Sequence, residues 1–215
     1  MDRSGSGDQA RQVARKLREM IIAGRYAPGE PLRQDVIAEQ LGTSRMPVRE
    51  ALRVLETEGL VLLVPNKGAS VAPLDPREVG EIYEMRVAAE TLALRLAIPE
   101  LSNARIDRAA RLQESVEAGD LAAFGRLNKA FHMTLYEACG RPRLLAHVAG
   151  LNDLSDRYLR LAIRALDYDK RSNDEHRALL DACRRRDKPA ALNLLEQHIT
   201  VAGQALQDWL ETACS

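Results

Sequence analysis

The chain has 215 residues, a formal net charge of zero and only three cysteines. This length fits one or two domains, and 46% hydrophobic residues with only 4% aromatic ones are typical of helices packed through aliphatic cores. The neutral charge alone does not indicate nucleic-acid binding, so such a function depends on where the basic residues lie. No apolar run approaches the roughly 20 residues of a membrane span, no signal peptide is evident, and the cysteines are too few for a disulfide framework or a zinc knuckle. We therefore expect a cytoplasmic protein without membrane association.

The first 74 residues have the pattern of a winged helix-turn-helix. Apolar spacing and turn residues predict helices over 8–24, 34–40 and 44–58 and strands over 60–64 and 69–72. In the second helix we expect Val36, Ile37 and Leu41 to face the core. Asn66, Lys67 and Gly68 between the strands are hairpin residues, and Gly68 suits a positive φ. This order predicts a DNA-binding domain over residues 8–74.

The N-terminus of the third helix carries residue types that read DNA. The second helix of a helix-turn-helix enters the major groove with its N-terminal residues leading. Arg45 and Arg49 project from one face, and each Arg can bind guanine O6 and N7, worth about 1–3 kcal/mol of base discrimination. Ser44 and the helix amides can hold a phosphate, and Lys67 can reach phosphate or the minor groove. Alternatively both arginines are ordinary surface charges, but their position after a glycine turn and before a wing favours DNA reading.

From residue 75 onward the pattern is entirely helical. Asp75, Pro76 and Glu78 form a strong helix start, with a capping Asp and Pro at the first position. The predicted helices span 76–97, 100–118, 120–139, 142–166, 171–186 and 188–212. Six helices are enough to bury one core, so we expect an all-α six-helix bundle over residues 75–213.

Three of the four histidines lie within apolar helical stripes, at His132, His176 and His198. An unpaired imidazole in an apolar core is costly, and one metal ion or one bound anion can serve three inward imidazoles together. Asn128 lies one turn before His132 on the same stripe. The alternative is that the three imidazoles are hydrogen-bonded separately within the core and bind no metal.

Arg86 is a further polar residue on an inward stripe, one turn after Ile82. A buried Arg suits bidentate capture of a carboxylate. An internal ion pair with Glu90, four residues later, is an equally good interpretation. Asn152 is a second candidate for the border of an effector pocket.

Residues 10–72 resemble the N-terminal domain of the GntR family of bacterial transcription regulators. The matching segments are residues 22–32, 37–42, 44–52, 55–60 and 65–69. The resemblance implies that Arg45 and Arg49 read bases and that Ser44 and Arg33 contact the DNA backbone. It also implies that the wing tip, Asn66 to Gly68, enters the minor groove. Asp35 departs from the family pattern, because some relatives carry a DNA-contacting Arg at this position. In this chain that DNA contact is either absent or supplied by Arg33.

Residues 76–213 are similar to the all-helical FCD effector domain of the FadR-type branch of that family. With six helices, the domain is nearer to the vanillate-regulator type of that branch. The matching segments are residues 83–86 with Glu90, 128–132, 175–177 and 197–199. The resemblance implies that the three histidines bind a divalent metal, with a fourth ligand that is usually Asp where this chain has Asn128. Three neutral imidazoles and an amide bring no negative charge, so Mg²⁺ and Ca²⁺ would bind poorly. Zn²⁺ is the expected ion, and Ni²⁺ or Co²⁺ also tolerate such ligands.

These features predict a metabolite-responsive transcription regulator, by default a repressor, that binds a small carboxylate effector. One recognition helix reads only a half-site, so we expect a homodimer on palindromic operator DNA. A metal-dependent hydrolase is one alternative, because three histidines and an open position also describe hydrolytic zinc sites. No acidic residue is evidently placed as its general base. The other alternative is an architectural DNA-binding protein whose helical part only dimerises and binds no ligand.

Overall fold

A computed structural model describes residues 3–65, 67–118, 121–162 and 168–213 of the chain. The chain divides into two compact units, residues 1–74 and 75–215, and it is mainly helical, as predicted. The helices are α1 (Arg3–Ile22), α2 (Gln34–Gln40), α3 (Arg45–Thr57), α4 (Pro76–Ala97), α5 (Asn103–Ala118), α6 (Leu121–Tyr136), α7 (Pro142–Ala162), α8 (Tyr168–Arg184) and α9 (Lys188–Ala213), and the strands are β1 (Val61–Val64) and β2 (Gly68–Val71).

The N-terminal unit is built around α3. Its residues Leu52 and Leu55 are buried, and α1 packs against it and buries Val13 and Leu17. The sequence prediction that Val36 faces the core is wrong, because its side chain is exposed while the neighbouring Ile37 is buried. A helix of seven residues turns only one narrow face to its neighbours, and apolar residues adjacent in sequence point in different directions on a helix.

The wing is an antiparallel hairpin of β1 and β2, with Val61 opposite Val71 and Val64 opposite Gly68. Gly68 has a φ of +91°, the left-handed region that favours glycine, as predicted. The segment before α2 adds a third extended stretch that the sequence did not indicate, because Leu32 N–H donates to Ala69 O at 2.8 Å. Asn66 lies outside the described residues.

The C-terminal unit contains all six predicted helices. At the start of α4 the Asp75 side chain accepts a hydrogen bond from the Arg77 backbone N–H at 2.9 Å, as its capping role requires. α4 packs against α7 and α9, while α5 packs against α6 and α8. The contact of α4 with α9 is close at Gly203, where an added Cβ would lie 2.6 Å from Tyr83 Cγ. Within the described ranges, no helix is both long and apolar enough to cross a membrane.

Candidate metal centre and DNA interface

Three histidines from three helices converge in the core of the C-terminal unit. His132 lies on α6, His176 on α8 and His198 on α9, and all three side chains are buried. One ring nitrogen from each lies within 4.8 Å of the others, and His132 Nε2 and His176 Nε2 are only 3.1 Å apart. Phe131 stacks on the His176 ring with centroids 4.2 Å apart, which helps to orient that imidazole. Helices far apart in sequence therefore bring three imidazoles to one point.

The hydrogen bond to His198 determines its tautomer. His198 Nδ1 lies 2.7 Å from Glu175 Oε2, and a carboxylate accepts but does not donate. Burial raises the pKa of Glu175, but hydrogen bonds from His198 and Arg171 outweigh burial and lower the pKa overall, so the carboxyl group is ionised. Nδ1 of His198 therefore carries a proton that it donates to Glu175, and Nε2 is the ring nitrogen that does not bind this carboxylate.

Gln113 determines the tautomer of His176 in the same way. The Gln113 amide nitrogen donates to Asn173 Oδ1 at 2.7 Å and to Glu117 Oε1 at 3.0 Å. Its oxygen must then accept from His176 Nδ1, which lies 2.6 Å away. The proton is again on Nδ1, and Nε2 of His176 has a lone pair.

Tyr136 completes the pattern at His132. The Tyr136 hydroxyl donates to Glu90 Oε2 at 2.8 Å, so its oxygen accepts from His132 Nδ1 at 3.2 Å. Burial first, and then the charge of Glu90, raises the pKa of Tyr136 well above its ordinary value, which keeps the phenol protonated. His132 Nε2 is thereby left with a lone pair as well.

The three imidazoles form a buried cluster of nitrogen donors. Burial, followed by the neighbouring imidazoles, lowers the pKa of His132 and of His176 well below the ordinary value, so both rings are neutral at pH 7. Two lone pairs 3.1 Å apart repel each other unless a positive centre lies between them. Asn128, one turn before His132, is also buried, and within the described part of the chain its Oδ1 has no hydrogen-bond partner. Three imidazole nitrogens within 4.8 Å of one another and one unsatisfied oxygen form a donor set of the kind that fits a divalent transition ion.

Arg86 takes part in a buried hydrogen-bond network next to this centre. Its Nε donates to Glu90 Oε1 at 2.7 Å, so the internal ion pair, one of the two interpretations of the sequence, is present in the structure. The other guanidinium nitrogens donate to Ser155 Oγ at 3.3 Å and Asn152 Oδ1 at 3.4 Å. This network reaches the histidines through Glu90, because the Tyr136 hydroxyl donates to Glu90 Oε2 at 2.8 Å and lies 3.2 Å from His132 Nδ1.

The candidate DNA-contacting residues lie on the surface of the N-terminal unit. Arg45 and Arg49 are exposed near the start of α3, and Arg49 contacts Met46 Sδ at 3.1 Å. Ser44 precedes α3 as its N-cap residue, and among the described atoms its side chain makes no capping hydrogen bond. Lys67 and Gly68 are exposed at the tip of the wing.

Asp35 forms an ion pair with Arg33, the residue expected to contact the DNA backbone. Arg33 is exposed and forms an ion pair with Asp35 at 3.2 Å. The hydrogen bond from Arg33 is the main reason that the pKa of Asp35 is lowered. Binding of Arg33 to a phosphate would therefore compete with this carboxylate.

Several residues of the two sites were missed from sequence. Glu175 is adjacent to His176 in sequence but binds His198, and Tyr136 follows His132 by one helical turn, which was a usable signal. Gln113 lies on α5, far from every histidine in sequence, and no local pattern indicates its role. Met46 is 56% exposed between the two arginines of α3 and was not considered, although an apolar side chain there can contact a thymine methyl group.

Comparison with known protein families gives a match for each of the two units. Residues 9–71 match the family described as "Bacterial regulatory proteins, gntR family", and residues 81–201 match the FCD domain. The chain belongs to the GntR family and carries an FCD domain. It is therefore a DNA-binding transcription regulator and not an enzyme, and the hydrolase alternative is wrong.

Individual relatives agree with this assignment. The chain is 31% identical to the HTH-type transcriptional repressor GlaR of Escherichia coli over 197 residues, covering 86% of this chain and 90% of that protein. It is 30% identical over 198 residues to YdhC of Bacillus subtilis, named an uncharacterized HTH-type transcriptional regulator, covering 87% and 84%.

Solved structures of relatives share the fold. A GntR family regulator from Pseudomonas syringae is 35% identical, with a TM-score of 0.61 and coverage of 95% of this chain and 87% of that one. McbR/YncC of E. coli has a TM-score of 0.82 over 94% and 98% of the two chains at 24% identity, a similarity that shows the fold alone.

Proposed function

We propose that this GntR regulator is a metabolite-responsive repressor whose FCD domain binds a divalent transition metal and, through it, a small carboxylate effector. The observation that carries the proposal is how the ring nitrogens of the three histidines are arranged. All three Nδ1 atoms have partners of their own, while one ring nitrogen from each histidine lies within 4.8 Å of the others. Three separately satisfied core histidines would not need to direct their lone pairs at one another.

The donor set favours late transition metals. His132, His176 and His198 would ligate through nitrogen, and the unsatisfied Asn128 Oδ1 would be a fourth donor. Because none of these groups is charged, Zn²⁺ is the preferred ion, with Ni²⁺ or Co²⁺ as alternatives. The bound ion would supply a positive centre that attracts an anionic effector, and the effector carboxylate would bring the negative charge that the donors lack.

We propose Arg86 and Asn152 as the residues that hold the effector beside the metal. Both are buried, Arg86 donates to Asn152 Oδ1 at 3.4 Å, and both side chains donate to Glu90 Oε1. The Arg86 guanidinium is ion-paired with Glu90, so an incoming carboxylate would share or exchange that partner. A charge-assisted bond to a buried guanidinium contributes about 1.5–3 kcal/mol.

We propose that the winged helix acts as part of a homodimer on a palindromic operator. Arg45 and Arg49 would read bases, Ser44 and Arg33 would contact phosphates, and the wing tip would enter the minor groove through Lys67 and Gly68, with Asn66 assigned to this tip from sequence alone. Support comes from the exposure of these side chains at the start of α3 and on the wing. Relatives named as repressors, such as GlaR, support release of DNA on effector binding as the default response.

The direct test is the metal content of the purified full-length protein. Elemental analysis and Zn²⁺ titration of chelator-treated protein should show about one ion per subunit. Free Zn²⁺ at a concentration of about 100 times its Kd should then increase the free energy of unfolding by about 2.7 kcal/mol. His132→Ala, His176→Ala and His198→Ala should each abolish uptake, whereas His147→Ala, which changes an exposed histidine on α7, should not. A wild-type protein that takes up no metal would overturn the metal proposal and favour an architectural role.

A further inference from the structure

Each of the three imidazoles is connected to a glutamate by a short hydrogen-bond chain. His198 reaches Glu175 directly at 2.7 Å. His132 reaches Glu90 through the Tyr136 hydroxyl, in steps of 3.2 and 2.8 Å. His176 reaches Glu117 through the Gln113 amide, in steps of 2.6 and 3.0 Å.

The same three glutamates are each paired with an arginine. The pairs are Glu175 with Arg171 at 2.8 Å, Glu90 with Arg86 at 2.7 Å, and Glu117 with Arg177 at 2.6 Å. An arginine partner keeps a carboxylate ionised and limits its movement. Each chain therefore runs from an imidazole to a carboxylate that is paired with a guanidinium, directly at His198 and through one intervening side chain at His132 and His176.

We infer that Glu175, the Gln113–Glu117 chain and the Tyr136–Glu90 chain are positioning residues that set the metal affinity of the site. This inference rests on the proposed metal site. A carboxylate behind an imidazole fixes the tautomer and makes the ring a stronger donor, because binding of a cation at Nε2 makes the Nδ1–H a better hydrogen-bond donor. With Asn128 in place of an acidic ligand, the negative charge that balances the ion lies behind the imidazoles, one hydrogen bond away at Glu175 and two hydrogen bonds away at Glu90 and Glu117.

The three hydrogen-bond chains are not equivalent, so the three glutamates should affect metal affinity to different extents. Glu175 contacts its imidazole directly, whereas Glu117 acts through an amide. Loss of the Glu175 charge should therefore weaken metal binding more than loss of the Glu117 charge. Glu175 and Glu117 are also the practical positions, because their side chains are about one quarter exposed while Glu90 is fully buried.

The first experiment compares Glu175→Gln, Glu117→Gln and Asp181→Asn in the full-length protein. Asp181 is the matched control, because it lies on α8 like Glu175 and pairs with Arg184, and its removal changes the net charge equally. Zn²⁺ and Co²⁺ affinities are measured by competition with a chromophoric chelator. We expect a loss of about 10–100-fold for Glu175→Gln, a smaller loss for Glu117→Gln and none for Asp181→Asn. The visible spectrum of bound Co²⁺ should keep its wild-type form in all three, because the direct ligands are unchanged.

The second experiment exchanges the two members of one chain. Gln113→Glu combined with Glu117→Gln keeps composition and net charge but moves the carboxylate into direct contact with His176. This double variant should bind Zn²⁺ at least as tightly as wild type, whereas Gln113→Met, which removes the acceptor, should bind it about tenfold or more weakly. A residue that served only the fold would not be rescued by the exchange.

The outcomes separate the two proposals. If wild type binds metal and Glu175→Gln binds it as tightly as Asp181→Asn does, the glutamates do not tune the site and this inference is wrong. If wild type binds no metal, the proposed metal site itself fails, and this inference with it. Should Gln113→Met not fold, the comparison of Glu175→Gln with Asp181→Asn decides alone.

Discussion

Asn128 differs chemically from the three histidines around it, because its oxygen is buried without a hydrogen-bond partner in the described part of the chain. An unsatisfied buried acceptor costs about 1–3 kcal/mol. The imidazoles have partners on their outer nitrogens, but this amide oxygen does not. At the scale of single residues, Asn128 is therefore a position at which a ligand would relieve a local cost.

The substitution Asn128→Asp should tighten metal binding and destabilise the metal-free protein. A carboxylate close to a divalent ion gains several kcal/mol even at an effective dielectric constant of about 20, so affinity should rise by at least about tenfold. Without metal the new charge is buried and unpaired, which lowers stability. The measurement is Zn²⁺ affinity together with melting temperature in chelator and in Zn²⁺. An affinity equal to wild type would show that residue 128 is not a ligand.

The buried histidines should make the metal-free protein sensitive to mild acid. The folded-state pKa of His132 and of His176 is well below about 6.5, the value of an unfolded His. Below pH 6.5 the unfolded chain therefore binds more protons than the folded one. Stability is fully present above about pH 7.5 and falls as the pH drops through 6.5, by up to about 1.4 kcal/mol per pH unit for each proton. The pKa values of Glu117 and Glu175 are also lowered, but these groups change the stability with pH only below their ordinary pKa of 4.5.

Melting temperatures of chelator-treated protein between pH 8 and pH 5.5 test this sensitivity. His176→Gln should flatten the dependence, and His147→Gln should leave it unchanged. Saturating Zn²⁺ should shift the decline to lower pH, because the ion competes with protons for the same nitrogens. A wild-type melting temperature that stays constant down to pH 5.5 would contradict the assignment of neutral imidazoles.

At the scale of elements, one helix in each unit makes contacts that mutations can test: α3 in the N-terminal unit and α4 in the C-terminal unit. α3 presents its N-terminal residues to solvent while Leu52 and Leu55 hold it against the core. α4 lies against α9 with little space between them, since Tyr83 occupies the volume above Gly203. Changes on the exposed face of α3 should alter binding alone, whereas changes at the α4–α9 contact should alter stability.

Arg45→Ala and Arg49→Ala should each weaken specific operator binding without affecting folding. Each good Arg–guanine contact contributes about 1–3 kcal/mol of discrimination, so the ratio of specific to random-sequence binding should fall by about 5–150-fold. Lys67→Ala should instead weaken binding to all sequences and reduce the salt dependence. Electrophoretic mobility shifts at several salt concentrations give both quantities. Arg11→Ala, at an exposed pair on α1, is the control, and wild-type specificity in both α3 variants would contradict the assignment.

Gly203→Ala should destabilise the C-terminal unit through the α4–α9 contact. The added methyl group would lie 2.6 Å from Tyr83 Cγ, so the helices or the ring must move, and overpacking of this kind costs about 1–3 kcal/mol. Gly150→Ala is the matched control on α7, because an added Cβ there meets no atom within 4 Å. Helix propensity makes that control about 1 kcal/mol more stable. Urea unfolding of both variants checks the opposite signs, and equal stabilities would show that the contact is looser than described.

At the scale of the whole molecule, regulation requires that effector and operator binding be coupled. A coupling free energy of about 1–3 kcal/mol would change operator affinity by about 5–150-fold. Linkage requires the operator to change effector affinity by the same factor. The buried network of Arg86, Glu90 and Asn152 beside the metal centre is where we expect the effector to act on the FCD domain.

Arg86→Lys should keep operator binding and metal binding but lose most of the effector response. Lysine can keep the ion pair with Glu90, so no buried charge is left alone, but it cannot make the bidentate contact of a guanidinium. Carboxylates that raise the melting temperature of the zinc-loaded protein would serve as effectors in paired titrations with operator DNA. A full response in Arg86→Lys would remove the guanidinium from effector recognition. Equal effector affinities with and without operator in wild type would exclude coupling.

The sequence by itself determined the order of elements, the helical class of the second unit and the family. Local patterns carry this information, because a capping residue such as Asp75, a turn glycine such as Gly68 and the apolar period of a helix act over a few residues. The same patterns placed His132, His176 and His198 on inward faces. They also placed Arg86 inward, without deciding between an ion pair with Glu90 and an effector contact.

Only the tertiary structure decided which partners those inward residues meet. Gln113 reaches His176 across 63 positions of sequence, and Glu175 binds His198 rather than the adjacent histidine. Hydrogen-bond partners depend on how helices pack, and packing brings together residues that no local period relates. The convergence of the three imidazoles at one point follows from these distant contacts.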